Sequence, residues 1–255
     1  MVKSLNLPKL DFMPKTVKPY SDSDQSKKEQ VTQMFDTISK EYDGLNRMIT
    51  FGIDIKWRKR VIDIISKTNP AKVLDIASGT GDLAIMAAQK TDALEIIGAD
   101  ISEGMLNIGK QKIEKLGLSN RIKMQVADSE NLPFKTNYFD AITVAFGVRN
   151  FENLNKGLSE IYRVLKPDGI FVILETSIPT FPIIKQGYLF HSNFVLPFFG
   201  KLFSKDPKAY SYLSKSAKNF PYGKAFNNIM QKNGFKEVVN KPQTLGVASI
   251  YVGRK

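Results

Sequence analysis

Asp75, Gly79, Thr80, Gly81, Asp100 and Asp128 are the residues whose types and spacing could do chemistry in this chain. Asp75 follows the short apolar run Val73-Leu74 and stands four residues before Gly79; Asp82-Leu83-Ala84-Ile85-Met86-Ala87-Ala88 comes after Gly81. That order reads as buried strand, glycine turn and helix. Two glycines one residue apart let a backbone approach a ligand closely, and a helix start offers unpaired N–H groups at the positive end of a dipole. Gly79-x-Gly81-x-x-Ala84 also satisfies the dinucleotide fingerprint, so Asp75 must decide the ligand. A carboxylate there repels a pyrophosphate and suits an ammonium or sulfonium charge, which points to S-adenosylmethionine, with S-adenosylhomocysteine as product. Asp100 ends the run Ile96-Ile97-Gly98-Ala99, nineteen residues beyond Gly81, where a carboxylate can accept from ribose hydroxyls. NAD carries the same ribose, so Asp100 does not separate the two. Asp128-Ser129 follows the third expected strand and offers an acceptor to an adenine amine; Ala145, at the end of the fourth, completes the expected cofactor-binding set.

The elements that must position these residues alternate regularly. Strands are expected near 72–76, 95–99, 122–126, 140–145 and 169–174, and helices near 82–90, 103–116 and 153–165. Lys166-Pro167-Asp168-Gly169 reads as a helix stop and a turn. Runs at 235–239 and 247–252 read as a closing antiparallel pair. The fold class is therefore α/β, Rossmann-like, with a mostly parallel seven-stranded sheet and a C-terminal antiparallel strand. Residues 1–25 read as a loose arm and 26–255 as a single domain. Its parts are a helical cap (26–70, with a turn between Gly44 and Gly52), a cofactor-binding core (71–175), an apolar lid or substrate segment (176–225), and a last helix and strand pair (226–255).

Composition narrows the chemistry. The chain has 255 residues, no cysteine and one histidine, His191. This excludes disulfides, thiolate metal sites, a nucleophilic cysteine and a multi-histidine metal centre; no metal site is expected. A formal charge of +12 favours an anionic partner, either nucleic acid or the anionic face of a membrane. The basic residues form no cluster, and no apolar run has the roughly 20 residues needed to span a bilayer. From Phe181 to Phe203 there are seven aromatics and no acidic residue, interrupted by Pro182 and Pro197. Such a segment packs over a sheet or forms an apolar lid above a greasy substrate at a membrane interface. The fourth strand ends in Phe146-Gly147-Val148-Arg149-Asn150 and lacks the Asn/Asp-Pro-Pro-Tyr/Phe tetrapeptide of many amino-directed nucleic-acid methyltransferases. Arg149 cannot accept a proton near neutral pH but can stabilise a developing phenolate. His191 is a candidate general base, although an isolated histidine among apolar residues is more often a packed one.

Together these positions resemble the ubiquinone/menaquinone biosynthesis C-methyltransferases, from about Val31 to Lys255. The resemblance is carried by Tyr42-Asp43-Gly44-Leu45-Asn46-Arg47, Thr50-Phe51-Gly52, Trp57-Arg58, the Asp75–Asp82 loop, Asn131-Leu132-Pro133-Phe134, Phe146–Asn150, Arg163–Pro167, Tyr210-Ser211-Tyr212-Leu213 and Phe220-Pro221. Asp54 departs from it: the family often has a histidine at that place, three residues before the tryptophan. Glu175-Thr176-Ser177 and Asp168-Gly169 depart from the usual Glu-Phe-Ser and Gly-Gly. The resemblance implies methyl transfer from S-adenosylmethionine to a ring carbon of a prenylated quinol, most like the demethylmenaquinone branch, with a benzoquinol of the ubiquinone pathway as the alternative ring. Arg149, Asp54 and His191 are the candidate catalytic residues. The expected setting is the cytoplasm, with peripheral contact at the membrane's inner face. An RNA- or DNA-modifying methyltransferase and a non-catalytic subunit are the competing classes; the missing tetrapeptide and the intact acidic and glycine set weigh against them, and no nucleic-acid partner is expected.

Overall fold

The computed structural model describes residues 17–203 and 206–255. Its centre is a seven-stranded sheet in the order β3-β2-β1-β4-β5-β7-β6. The strands are β1 (Lys72–Ile76), β2 (Glu95–Asp100), β3 (Ile122–Val126), β4 (Phe139–Ala145), β5 (Leu165–Thr176), β6 (Lys236–Gln243) and β7 (Ala248–Arg254). β1 to β5 run parallel, and β7 lies antiparallel between β5 and β6. The helices are α1 (Lys27–Ile49), α2 (Ile53–Ser66), α3 (Asp82–Lys90), α4 (Glu103–Lys115), α5 (Leu154–Val164), α6 (Pro182–Phe190), α7 (Leu196–Phe203), α8 (Pro207–Asn219) and α9 (Lys224–Lys232).

Alternate strand residues feed two cores, as a sheet covered on both faces requires. Val73, Ala141, Ile170, Val172 and Leu174 pack with α2 and α3. Leu74, Ile76, Ile142, Val144, Phe171 and Ile173 pack with α5 and α9. A third cluster joins α1 to α8 through Met34, Ile38, Leu45, Tyr210 and Leu213. The start of α1 is fixed by a capping box: Ser26 Oγ accepts from the Glu29 N–H, and the Glu29 carboxylate accepts from the Ser26 N–H.

Three expectations change. α1 runs straight through Gly44, and the turn is confined to Thr50–Gly52, where Phe51 and Gly52 take φ of +50° and +69°. A mid-helix glycine costs only about 1 kcal/mol, which the buried stripe around it offsets. The Lys166–Gly169 turn lies inside β5 as an irregularity, the pairing with β4 jumping from Phe139↔Leu165 to Ala141↔Ile170. The described part of the N-terminal arm is docked: Val17 packs on the α1–α8 cluster, and Tyr20 bonds Gln30 through its N–H and Asp206 through its hydroxyl. Residues 1–16 lie outside the described residues.

Gly147 follows β4 where it passes β1. A Cβ there would lie 2.4 Å from the Ala77 Cβ and 2.9 Å from Val144 Cγ1. Gly147→Ala is expected to cost about 1–3 kcal/mol through overpacking, seen as a melting temperature lowered by several degrees in calorimetry. An unchanged melting temperature would show that the two loops have room to part.

Candidate functional site

Strand order reverses between β1 and β4, and in a doubly wound sheet the crevice opens at the carboxyl ends of the strands flanking that point. Ala77 and Phe146, the first residues beyond those two ends, hold φ of +50° and +58°. Both chains thereby turn sharply out of the sheet, at a local backbone cost. Gly79 and Gly81 follow with φ of +57° and +82°, which glycine adopts freely. A Cβ added at Gly79 would meet nothing within 4 Å, so the loop is open on its ligand side.

The acids named from sequence gather here. Asp100 Oδ2 accepts from the Gly79 N–H at 2.8 Å and Oδ1 from the Ser102 N–H at 2.9 Å. Burial pushes its carboxyl up against the pull of those amides. Asp75 is buried on β1, accepting from Ser78 Oγ at 2.6 Å and Thr143 Oγ1 at 2.8 Å. Burial, only partly opposed by those two hydroxyls, pushes its pKa up to about 6. Asp128 pairs with Lys28 at 3.1 Å and accepts from the Glu130 N–H at 2.8 Å. Asp100, Asp128, Ser129 and Ala145 line one crevice with Phe35 and Tyr42 of α1. Asp75 and Thr80 line a smaller recess beside Gly79; the Thr80 hydroxyl donates to Asp43 at 2.7 Å.

A second, larger space adjoins this crevice. It is an apolar cavity of about 470 Å³, walled by Ile49, Trp57, Ile184, Tyr188, Leu196 and Leu213 among others, and Tyr42 and Phe146 line both spaces. All three candidate catalytic residues line it. Arg149 sits in the short turn after β4, its Nη1 2.5 Å from Glu175 Oε1 in a buried ion pair. Arg149 Nε and Glu175 Oε2 are buried without a protein partner. Asp54 is 1% exposed; its carboxylate is held by Arg47 and Arg58 and accepts from Thr50 Oγ1 at 2.8 Å. Its lone pairs are committed to structure. His191 opens a π-helical turn, His191–Val195, with Nε2 3.1 Å from the Ile49 carbonyl oxygen.

The aromatic segment divides otherwise than its composition implies. Of its six aromatics with described side chains only Tyr188 lines the cavity. Phe181, Phe190, Phe194 and Phe198 are exposed, Phe199 packs on the α1–α8 cluster, and the Phe203 side chain lies outside the described residues. The apolar side chains that this segment gives the cavity wall are Ile183, Ile184, Leu196 and Tyr188. Among the described residues no helix is long and apolar enough to cross a membrane.

Sequence reasoning missed several partners. Tyr42 stands within the Tyr42–Arg47 motif but had no role attached to it. Thr143 was detectable as a lone hydroxyl inside the apolar run of β4. Lys28, which covers Asp128, carries no signal of its own.

The model of the ubiE/COQ5 methyltransferase family matches residues 23–255. A demethylmenaquinone methyltransferase of Bacteroides fragilis (strain ATCC 25285) is 46% identical over 246 residues, covering 96% of this chain and 100% of the relative. A ubiquinone/menaquinone biosynthesis C-methyltransferase UbiE of Geotalea daltonii is 45% identical over 230 residues, covering 90% and 97%. Among solved structures, a SAM-dependent methyltransferase of Thermotoga maritima, described as a possible histamine N-methyltransferase, has a TM-score of 0.62 at 18% identity over 88% of this chain and 99% of its own. One of Aquifex aeolicus has a TM-score of 0.53 at 18% identity over 72% and 81%. These two show the fold alone. On the family match and the curated relatives, the chain belongs to the ubiE/COQ5 methyltransferase family.

Proposed function

We propose that this S-adenosylmethionine-dependent methyltransferase methylates a ring carbon of a prenylated quinol, converting demethylmenaquinol to menaquinol. The observation that carries the reading is the apolar cavity sharing Tyr42 and Phe146 with the crevice of Asp100 and Asp128. The names of the curated relatives agree with it.

The crevice residues fit the methyl donor. The open face of Gly79 admits it, Asp100 keeps lone pairs beyond those given to two amides for ribose hydroxyls, Asp128 and Ser129 suit the adenine amine, and Asp75 supplies charge for the cationic end. The bound donor supplies an electrophilic methyl group. Tyr42 and Phe146 keep water from the boundary between the two spaces. Arg149, pinned by Glu175, offers a fixed cation to the oxygen that becomes negative as the ring carbon gains nucleophilicity. In the cavity each buried tail CH₂ contributes about 0.8 kcal/mol. Two or three isoprene units therefore supply most of the ~8 kcal/mol of micromolar binding.

Phe190, Phe194, Phe198 and Leu202 of the cavity-wall segment are exposed apolar side chains that do not line the cavity. Lys185 on α6 and Lys208 and Lys215 on α8 are exposed too. This surface suits an anionic lipid interface, from which a tailed substrate would enter.

Incubation with labelled S-adenosylmethionine and reduced demethylmenaquinol, demethylated benzoquinol or RNA is expected to label the naphthoquinol. Labelling of RNA alone would overturn the reading. Asp100→Asn should weaken donor binding about 10- to 100-fold in calorimetry, the loss expected for charge-assisted hydrogen bonds; equal affinity in a folded variant would remove Asp100 from the site. Both Asp75 and Asp100 have raised pKa values, Asp75 to about 6. Lowering the pH from 7 to 5 neutralises Asp75, so donor affinity should fall with pH across that range, and a flat profile would show that its charge is not used. Ile184→Ser should raise KM roughly 3- to 10-fold for a long-tailed quinol and leave a tail-less one unchanged. Phe198→Ser should instead weaken sedimentation with anionic vesicles. Equal KM changes for both quinols would make the cavity wall ordinary core.

A further inference from the structure

We infer that Nδ1 of His191 is the proton acceptor for the substrate's ring hydroxyl, an assignment that rests on the quinol reading above. The hydrogen-bond partner of Nε2 is the Ile49 carbonyl, at 3.1 Å. A carbonyl only accepts, so Nε2 carries the hydrogen, and in a neutral imidazole the lone pair then sits on Nδ1. Among the described residues Nδ1 has no partner, yet it is not one of the side-chain atoms sealed from solvent without one. His191 is half-buried on the cavity wall, so Nδ1 is an accessible, unused acceptor.

The backbone around it is fixed. His191 begins the π-helical turn, a geometry frequent at functional sites. The next residue, Ser192, is buried, and its carbonyl accepts from Ser214 Oγ of α8 at 2.8 Å. Ile49 is the last residue of α1, so the carbonyl that holds Nε2 belongs to a helix terminus and is fixed by that helix. The other polar groups of the wall are less able to accept. Asp54 spends its oxygens on Arg47, Arg58 and Thr50, Arg149 is a cation, and burial raises the phenols of Tyr42, Tyr188 and Tyr210, favouring their neutral, weakly basic forms.

The step balances. The hydroxyl proton passes to Nδ1, and the oxygen's electron pair moves into the ring. The ortho carbon forms its bond to the methyl carbon as the sulfur–methyl bond breaks, with that bond's pair left on sulfur. The ring proton then leaves to water, and the oxygen recovers its proton from Nδ1. One proton is released per turnover.

His191 is the only histidine, so ¹⁵N-histidine labelling gives a single imidazole to observe. A long-range ¹H–¹⁵N correlation should show the Nε2–H form. The Nδ1 resonance should move when tail-less demethylnaphthoquinol is added without methyl donor, saturation being followed by quenching of the sole tryptophan, Trp57, on the cavity wall. His191→Gln should lower kcat about 10²- to 10⁴-fold with donor affinity kept. An Nδ1–H form, an Nδ1 signal unmoved at saturation, or a kcat within threefold of wild type would each overturn the assignment. A wild-type protein that methylates no quinol would overturn the proposed function instead, and the tautomer would be read independently of it.

Discussion

Charge pairing between the helical cap and the glycine loop is the constraint on which both spaces depend. Arg47 of α1 bridges Asp54 of α2 and Asp82 of α3; Arg58 of α2 pairs with Asp54 and approaches Asp82; Lys112 of α4 reaches Asp82 at 2.6 Å and Asp43 at 3.0 Å. Three cations and three carboxylates thus tie four helices together around the turn that carries Gly79 and Gly81. Several members are largely buried, and there removal of one partner leaves an uncompensated charge, at a cost of about 3–5 kcal/mol. Asp43 is also the acceptor for Thr80 in the loop itself. Tyr42 immediately precedes Asp43 on α1, so the pairing that seats the helix also seats the ring shared by crevice and cavity.

The strand ends impose the complementary constraint. Ala77 and Phe146 accept left-handed backbone so that β1 and β4 can release their chains in opposite directions over the same point. Gly147 lets those chains cross, since any side chain there would strike Ala77. Phe146 is thereby turned toward the cap, where its ring lies 5.3 Å from the Arg58 guanidinium and 5.8 Å from that of Arg149. Two cations beside one ring help explain how a strained phenylalanine is held at the boundary between a polar and an apolar space.

How far this could be read in the sequence follows from how local each signal is. β1, β3 and α3 fall where apolar runs, glycines and a helix pattern placed them, because those signals are contained within a few residues. Asp100 was legible because it closes an apolar run at a fixed distance from the glycines. The commitment of Asp54 was not: its guanidinium partners come from two helices, and only the packed cap brings Arg47 to it. Asp75 was legible as a charge near the loop but not as a group engaged by two hydroxyls, one from the neighbouring strand. The turn within β5 was recognised as a turn, but whether a turn ends a strand or interrupts it depends on the partner strand's register.

The 181–203 segment shows the same limit most sharply, and its physical reason is specific. Composition marks it as apolar, but only helical phase says which residues face the protein. The π turn at His191–Val195 inserts extra chain between α6 and α7, so the stripe of one helix does not continue in register into the next. A count of aromatics therefore says nothing about direction. The structure places Ile183, Ile184, Leu196 and Tyr188 on the cavity wall and leaves most of the described phenylalanines of the segment exposed. That partition removes a conflict: a wall tight enough to keep water from a methyl-transfer centre would, if also greasy on its outer face, be a liability in bulk solvent. The lipid contact proposed above would satisfy that outer face, and closure of the cavity and entry of a membrane-borne substrate would then be served by opposite sides of the same helices.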